Sequence, residues 1–367
     1  MKDENINYEK IFDEAYEQRK PDFSKTLNIA VVGKVSGGKS SLINAIFERN
    51  RENAIAKVGA ISGVTTKVKS FRLDERVLLI DCPGLDDVKD ENSEITESFL
   101  KSIDIGIFVV TGSSDASQKT NYEKLKENCK KTFVVLNQID TWDDLKKEAV
   151  DDVINQWKKS LGCKKIYPTN TKGYDPESRE DAPLDIRGVD ALKEDITDFL
   201  KKEGKDLLFL KNLQEKEGSA NKIILAALVA VAAEAFIPGS AAYITATQTV
   251  AITALHYLYT GEVISKKGAL ALIPTFIGES IGTTVFLWLK SFLPPTGIID
   301  AAAAVVAVTI TFAMLYAIKS ALKNNISLDD KDYLLEIFST LKKISPKDID
   351  IKKPEKIFQM ADNLVKA

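Results

Sequence analysis

Two kinds of pattern divide this chain. From Leu27 to Leu200, short apolar runs alternate with amphipathic stretches. The runs Leu27–Val32, Arg76–Ile80, Asp104–Val110, Thr132–Leu136 and Lys164–Pro168, with Lys67–Leu73 hairpinned to the second through Asp74-Glu75, have the length and bounding of strands. Leu42–Arg49, Ser117–Lys131, Asp143–Leu161 and Ala191–Leu200 between them read as helices. Strands alternating with helices predict an α/β domain. Ahead of it, Tyr8, Ile11, Phe12, Ala15 and Tyr16 recur at helical spacing, and Pro21 ends that arm. An amphipathic arm must cover its apolar stripe, so it is expected to dock on a later helical region.

Beyond Leu207–Glu217, read as a charged helix, the pattern becomes apolar nearly all round. Residues 219–318 carry eight charges (Lys222, Glu234, Glu262, Lys266, Lys267, Glu279, Lys290 and Asp300), whereas the whole chain has 50 basic and 53 acidic residues. Four segments follow: Ile223–Phe236, Ala241–Tyr259, Ala269–Leu289 and Ile298–Ile318. They are broken at Pro238-Gly239, Lys266-Lys267-Gly268 and Pro294-Pro295. The last two are long enough for a bilayer, which wants ~20 apolar residues. Against that, Glu234 or Glu279 at bilayer depth would cost about 2.5–3.5 kcal/mol. Lysines at the expected cytoplasmic ends favour membrane association; a bundle with its apolar faces buried is the alternative. Asp330–Leu341 and Ile357–Val365 are further amphipathic helices. The expected organisation is a helical arm over 1–25, an α/β domain over 26–203, a hydrophobic helical domain over 204–325 and a helical extension over 326–367.

Composition narrows the function classes. A net charge of −3 supplies no footprint for nucleic acid. Cys82, Cys129 and Cys163 lack metal-ligand spacing, and with the acidic start Met1-Lys2-Asp3-Glu4 they suggest a reducing, cytoplasmic setting. His256 has no second histidine beside it and is expected to pack in the helical region.

The chemistry concentrates in four ordered motifs. Gly33-Lys34-Val35-Ser36-Gly37-Gly38-Lys39-Ser40-Ser41 joins an apolar strand to a helix start at Walker A spacing. Glycines let backbone N–H groups surround a phosphate, Lys39 reaches the β- and γ-phosphates, and the Ser40 hydroxyl binds Mg²⁺. Some twenty-five residues later, Thr65 and Thr66 are both candidates to contact Mg²⁺ and the γ-phosphate. Asp81-Cys82-Pro83-Gly84 ends a buried strand, the Walker B position, with Gly84 offering an N–H to the γ-phosphate. Asn137-Gln138-Ile139-Asp140 ends another, and Asp140 can accept two hydrogen bonds from guanine that adenine cannot donate. A polar loop, Thr169-Asn170-Thr171-Lys172, could add a backbone N–H to the guanine oxygen.

On these motifs the segment Thr26–Lys202 resembles the Ras-like P-loop GTPases, specifically the Era/TrmE-type class and the immunity-related GTPases. The resemblance implies a mostly parallel six-stranded G domain that binds GTP and GDP with Mg²⁺. It implies catalytic roles for Lys39, Thr65, Thr66 and Gly84, and metal roles for Ser40, Thr65, Thr66 and Asp81. Gly33–Ser41, Asn137, Gln138, Asp140, Thr169, Asn170 and Thr171 would hold the nucleotide. Three departures stand out: Gln138 replaces the family lysine, Leu85 follows Gly84 in place of the water-orienting glutamine, and Ser36 replaces the asparagine of potassium-activated members. They imply slow hydrolysis, stimulated by self-association through the G domains or by a partner. The helical part, with its Ile237-Pro238-Gly239-Ser240 turn, resembles a domain of unknown function that accompanies Era-like GTPases. The expected partners are guanine nucleotide, membrane lipid and a second G domain. A membrane-remodelling dynamin-like assembly and a ribosome- or RNA-linked GTPase are the alternatives.

Overall fold

The computed structural model describes residues 7–56, 69–82, 102–175, 181–237, 239–277, 301–342, 344 and 353–366. The chain forms two compact units, residues 24–215 and residues 1–23 with 216–367.

The helix α1 (Tyr8–Arg19) opens the chain and belongs to the second unit. In the first unit, β1 (Leu27–Gly33) leads into α2 (Lys39–Ile46), followed by β2 (Lys69–Asp74), β3 (Val77–Cys82) and β4 (Ile103–Val110). Then come α3 (Gln118–Asn128), β5 (Cys129–Leu136), a 3₁₀ turn at Ile139–Trp142, α4 (Lys147–Leu161) and β6 (Tyr167–Pro168). The unit closes with a hairpin of β7 (Asn170–Lys172) and β8 (Asp185–Arg187), then α5 (Val189–Glu203) and α6 (Asp206–Leu210).

The main sheet has six strands in the order β2-β3-β1-β4-β5-β6, antiparallel only between β2 and β3. The expected mostly parallel α/β sheet is therefore present. Its central strands read as continuous apolar runs because both faces are covered, as a parallel sheet requires. On one face Val32, Phe108, Val134 and Leu136 pack with Tyr122 and Leu125 of α3 and Trp157 and Leu161 of α4. All eight residues of α2 are buried, so this helix is fixed rigidly beside the sheet.

Boundaries differ from the sequence pattern where local chemistry competes. Helix α3 stops at Asn128 and β5 takes over at Cys129, three residues before the apolar run begins, because pairing with β4 extends from Ile103 opposite Cys129. Within the polar stretch 169–172, Asn170–Lys172 form a strand rather than a loop. Residues 207–217 are not one helix: α6 ends at Leu210, having buried Leu208, Phe209 and Leu210, with Phe209 against Phe47.

In the second unit, α7 (Glu217–Glu234), α8 (Ser240–Thr260), α9 (Lys266–Leu272), a 3₁₀ turn at Ile273–Ile277, α10 (Ala301–Lys323), α11 (Lys331–Leu341) and α12 (Pro354–Lys366) are all helical. The arm docks as its stripe requires: Phe12, Ala15 and Tyr16 of α1 lie on Ala242 and Ala246 of α8. His256 bonds locally to the Glu262 carbonyl at 2.9 Å. Glu234 is buried and ion-paired to Arg19, and it also accepts from Thr247 at 2.8 Å. Among the described residues one helix, Ala304–Lys323, is long and apolar enough to cross a membrane, and 78% of it is buried against its neighbours. The third apolar segment turns 3₁₀ at Ile273; Glu279 and the rest of it lie outside the described residues.

That buried helix carries Lys319, which bonds Asn221 at 3.1 Å and Glu217 at 3.4 Å, lies over the Tyr316 ring and is buried enough that its ammonium is held below the usual lysine range. Lys323 bonds Glu217 and holds its carboxyl below 4.5, with Lys319 adding to the effect against the opposing burial. A depressed carboxyl means that the unfolded chain binds more protons on acidification, so this contribution is present above pH 4.5 and is lost as pH falls through the folded value. Glu217→Gln is expected to flatten the acid limb of the second unit's stability profile, read from amide-exchange protection of α7 and α10, corrected for the intrinsic rate, between pH 3 and 7. An unchanged acid limb would show that other carboxylates govern it.

Candidate functional site

The motif residues meet at the carboxyl edge of the sheet, where open α/β folds bind ligands. Gly33 ends β1, Asp81 lies one residue before the end of β3, Asn137 follows β5, and Thr169 separates β6 from β7. The strand register sets this layout, with Val31 opposite Asp81 and Gly33 opposite Val109.

That register explains the first motif glycine. A Cβ on Gly33 would sit 2.2 Å from the Val109 carbonyl oxygen, so the β1–β4 pairing leaves no room for a side chain. Gly38 caps α2 with φ +77°, and a Cβ there would lie 2.3 Å from Asn137 Nδ2. Ser36 also has positive φ, at 61°. The resulting turn ends at the amino terminus of α2, where unpaired N–H groups and the helix dipole favour an anion. Lys39 is 3% exposed and donates to the Lys34 carbonyl at 3.0 Å, arching across the loop. Ser41 is buried in the first turn of α2, and Val35 stands exposed at the loop's tip. Lys34 points outward to an ion pair with Asp115, and Lys34 and Ser117 hold that carboxyl down to about 2.

Ser40 donates to Asp81 Oδ2 at 2.8 Å, and Asp81 is fully buried. These are two hard oxygens at the phosphate end of the turn. Mg²⁺ takes one or two protein oxygens, keeps several waters and completes its shell with substrate phosphates, so this donor set fits it. Among the described residues no group of three or more His, Cys, Asp or Glu could hold a metal alone. Thr65, Thr66 and Gly84 lie outside the described residues.

Asn137 has a position that the sequence did not reveal. Its side chain is buried, and Nδ2 donates to the Gly37 carbonyl at 3.3 Å and to Thr171 Oγ1 at 3.1 Å. Its Oδ1 accepts from Thr169 at 3.0 Å. The amide therefore ties the phosphate turn to the β6–β7 segment. Gln138 follows in a left-handed conformation (φ 63°) and donates from Nε2 to the Ser36 carbonyl at 3.0 Å. A neutral amide here holds the turn from the side where the family pattern has lysine. Asp140, two residues past Gln138, has its carboxylate bonded to Lys172 Nζ at 3.1 Å.

Strand alternation separates the three residues proposed at 169–171. Thr169 and Thr171 point to Asn137, whereas the Asn170 side chain turns to Asp185 at 2.6 Å on the opposite face. The Asn170 side chain is thus engaged within the β7–β8 hairpin. The Thr-x-Thr spacing carried this signal: two β-branched residues two apart share one face of a strand.

A phosphate turn on a helix start, a serine–aspartate pair suited to Mg²⁺ and a buried asparagine bonded to the turn are the features of a P-loop GTPase domain. Residues 28–138 match the model of the family described as "50S ribosome-binding GTPase". Among curated relatives, the chain is 30% identical over 168 residues to the Fe(2+) transporter FeoB of Helicobacter pylori, covering 44% of this chain and 25% of that protein. It is 33% identical over 142 residues to the tRNA modification GTPase MnmE of Campylobacter jejuni, covering 36% and 31%. The chain thus spans about a quarter to a third of these relatives' lengths. Among solved structures, the G domain of the T. maritima FeoB iron transporter is similar at 21% identity, with 48% of this chain and 99% of that one covered and a TM-score of 0.29.

Proposed function

We propose that this protein is a guanine-nucleotide switch whose G domain hydrolyses GTP slowly and controls the helical unit. The observation that carries this reading is the convergence of Lys39, the Ser40–Asp81 pair and the Asn137–Asp140 segment on one sheet edge. Lys39 and the amides of Gly33–Ser41 take the phosphates, and Asp140 takes the guanine edge. Mg²⁺ held by Ser40, with Asp81 acting through water, would neutralise charge between the β- and γ-phosphates. Water adds to the γ-phosphorus as the bond to the β–γ bridging oxygen breaks, giving GDP and phosphate. Leu85 cannot orient that water, so turnover depends on a group supplied by a second copy or a partner. Thr65, Thr66 and Gly84 would sense the γ-phosphate and release on hydrolysis. The helical unit is the effector, and its apolar composition makes a cytoplasmic membrane surface the favoured site of action.

Two measurements test this. Asp140→Asn should cut the preference for guanine over adenine nucleotides by at least ~100-fold, because the lost carboxylate is what pairs the guanine N–H groups; an unchanged preference would sink the base assignment. GTP turnover per molecule should rise with protein concentration or with anionic liposomes, against a Lys39→Ala blank. Flat turnover in both series would rule out self-association and lipid as activators.

A further inference from the structure

The chain leaves the G domain through Lys211–Glu215, and besides its bonds back to α6 this short strap is fastened at two places. One is the segment just past α2: Glu215 N–H donates to Glu48 Oε2 at 2.8 Å, Arg49 Nη2 donates to the Asn212 carbonyl at 2.9 Å, and Asn53 Nδ2 donates to Gln214 Oε1 at 3.0 Å. The other is the end of β2, where Asp74 Oδ2 accepts from Asn212 at 2.8 Å and pairs with Lys211 at 3.1 Å. In sequence these two anchors flank the stretch that carries Thr65 and Thr66.

The segment 48–53 follows α2 and is also tied to the loop beyond β7 and to α5. Helix α2 begins with Lys39 and Ser40, and its Asn44 bonds both the N–H and the carbonyl of Ala56, at 3.0 and 2.8 Å. Arg51 donates to the carbonyls of Gly173 and Ala182 beyond the base-side strand, and Tyr174 donates to the Arg49 carbonyl at 2.8 Å. Glu48 adopts φ 58°, a left-handed conformation that non-glycine residues rarely hold, while its carboxylate bridges Lys193 and the strap. A fully buried eight-residue helix cannot bend to absorb a shift at its phosphate end; it passes it to the residues at its other end. The strap's two anchors, the segment after α2 and Asp74 at the end of the edge strand β2, lie on either side in sequence of the stretch that carries Thr65 and Thr66.

We propose that Glu48, Arg49 and Asn53 form the output hub of the nucleotide site, holding the strap Lys211–Glu215 differently when GTP or GDP is bound. The proposal rests on the guanine-nucleotide reading above. A switch needs interactions that differ between its two states, and hydrogen exchange reads such local openings directly.

The test uses the full chain with Mg²⁺ and either GDP or a non-hydrolysable GTP analogue, following amide exchange in peptides covering 206–218. Binding of a fluorescent GDP is measured in parallel. Exchange at Leu213–Glu215 is expected to differ at least fivefold between the two nucleotides. In a Glu48→Ala/Gln214→Ala variant the difference should fall below twofold while GDP affinity stays within threefold. Gln214→Ala alone changes an exposed side chain and should reduce the difference about twofold. Equal exchange in both states with GDP bound overturns the hub and leaves the nucleotide site standing, as does a full difference retained in both variants. Failure of the wild type to bind fluorescent GDP overturns the nucleotide reading and the hub together, and the binding signal separates the two failures.

Discussion

Asn137→Ala is expected to lower GDP affinity about 100-fold, equivalent to roughly 2.7 kcal/mol, and to leave the preference for guanine over other bases unchanged. The size follows from what the side chain holds. Its amide donates to Gly37 and Thr171 and accepts from Thr169 in a buried position, so truncation strands partners on two segments at once. Each buried polar group left unsatisfied costs about 1–3 kcal/mol, and the turn that must meet the phosphates loses its brace. Asp140→Asn acts the other way: it alters base preference and leaves the turn intact. Equilibrium titration with fluorescent GDP, competed by GTP, XTP and ATP, separates affinity from selectivity. A change in base preference for Asn137→Ala would show that this residue reads the base itself, and the bracing role would fall.

The contrast between these two residues shows what the chain's letters disclose. The phosphate turn was legible because each of its requirements is local. A strand must precede it, glycine must permit the turn, and Lys39 and Ser40 must open the helix. Asp81 was legible as the end of a buried run. The reason Gly33 must be glycine was hidden, because the obstructing Val109 carbonyl belongs to a strand more than seventy residues away and becomes a neighbour only through the β1–β4 register. The contacts of Asn137 were hidden for the same reason: its partners Gly37 and Thr171 are 100 and 34 positions distant. The β7–β8 hairpin was missed because its three-residue strands hold a single apolar residue, Ile186, so no alternation of apolar residues marks them. In the helical unit, uniform apolarity erased the helical period. Glu234 then read as a misplaced charge until its partner, 215 residues earlier, was in view.

That partner supplies the second large effect. Arg19→Ala is expected to destabilise the second unit by about 3 kcal/mol, since removing one member of a buried pair costs roughly 3–5 kcal/mol and Arg19 is itself partly exposed. The loss has two sources. Glu234, 6% exposed, keeps the Thr247 hydroxyl as its donor among the described residues, and α1 loses both its link to the α7 terminus and the guanidinium over the Tyr243 ring. Arg19→Ala combined with Glu234→Gln should recover about half of the loss, because a neutral amide can still accept from Thr247 without an uncompensated charge. Amide exchange within α1 and α8 measures this locally, which a single denaturation curve for a two-unit chain cannot do. Exchange of α1 that stays at the wild-type rate in Arg19→Ala would mean that the Phe12, Ala15 and Tyr16 stripe on α8 suffices to hold the arm. The ion pair would then serve only to neutralise Glu234. If instead α1 frays while α8 stays protected, the arm is a separately stable element latched by Arg19. The covered face of α8 is then exposed without unfolding the bundle.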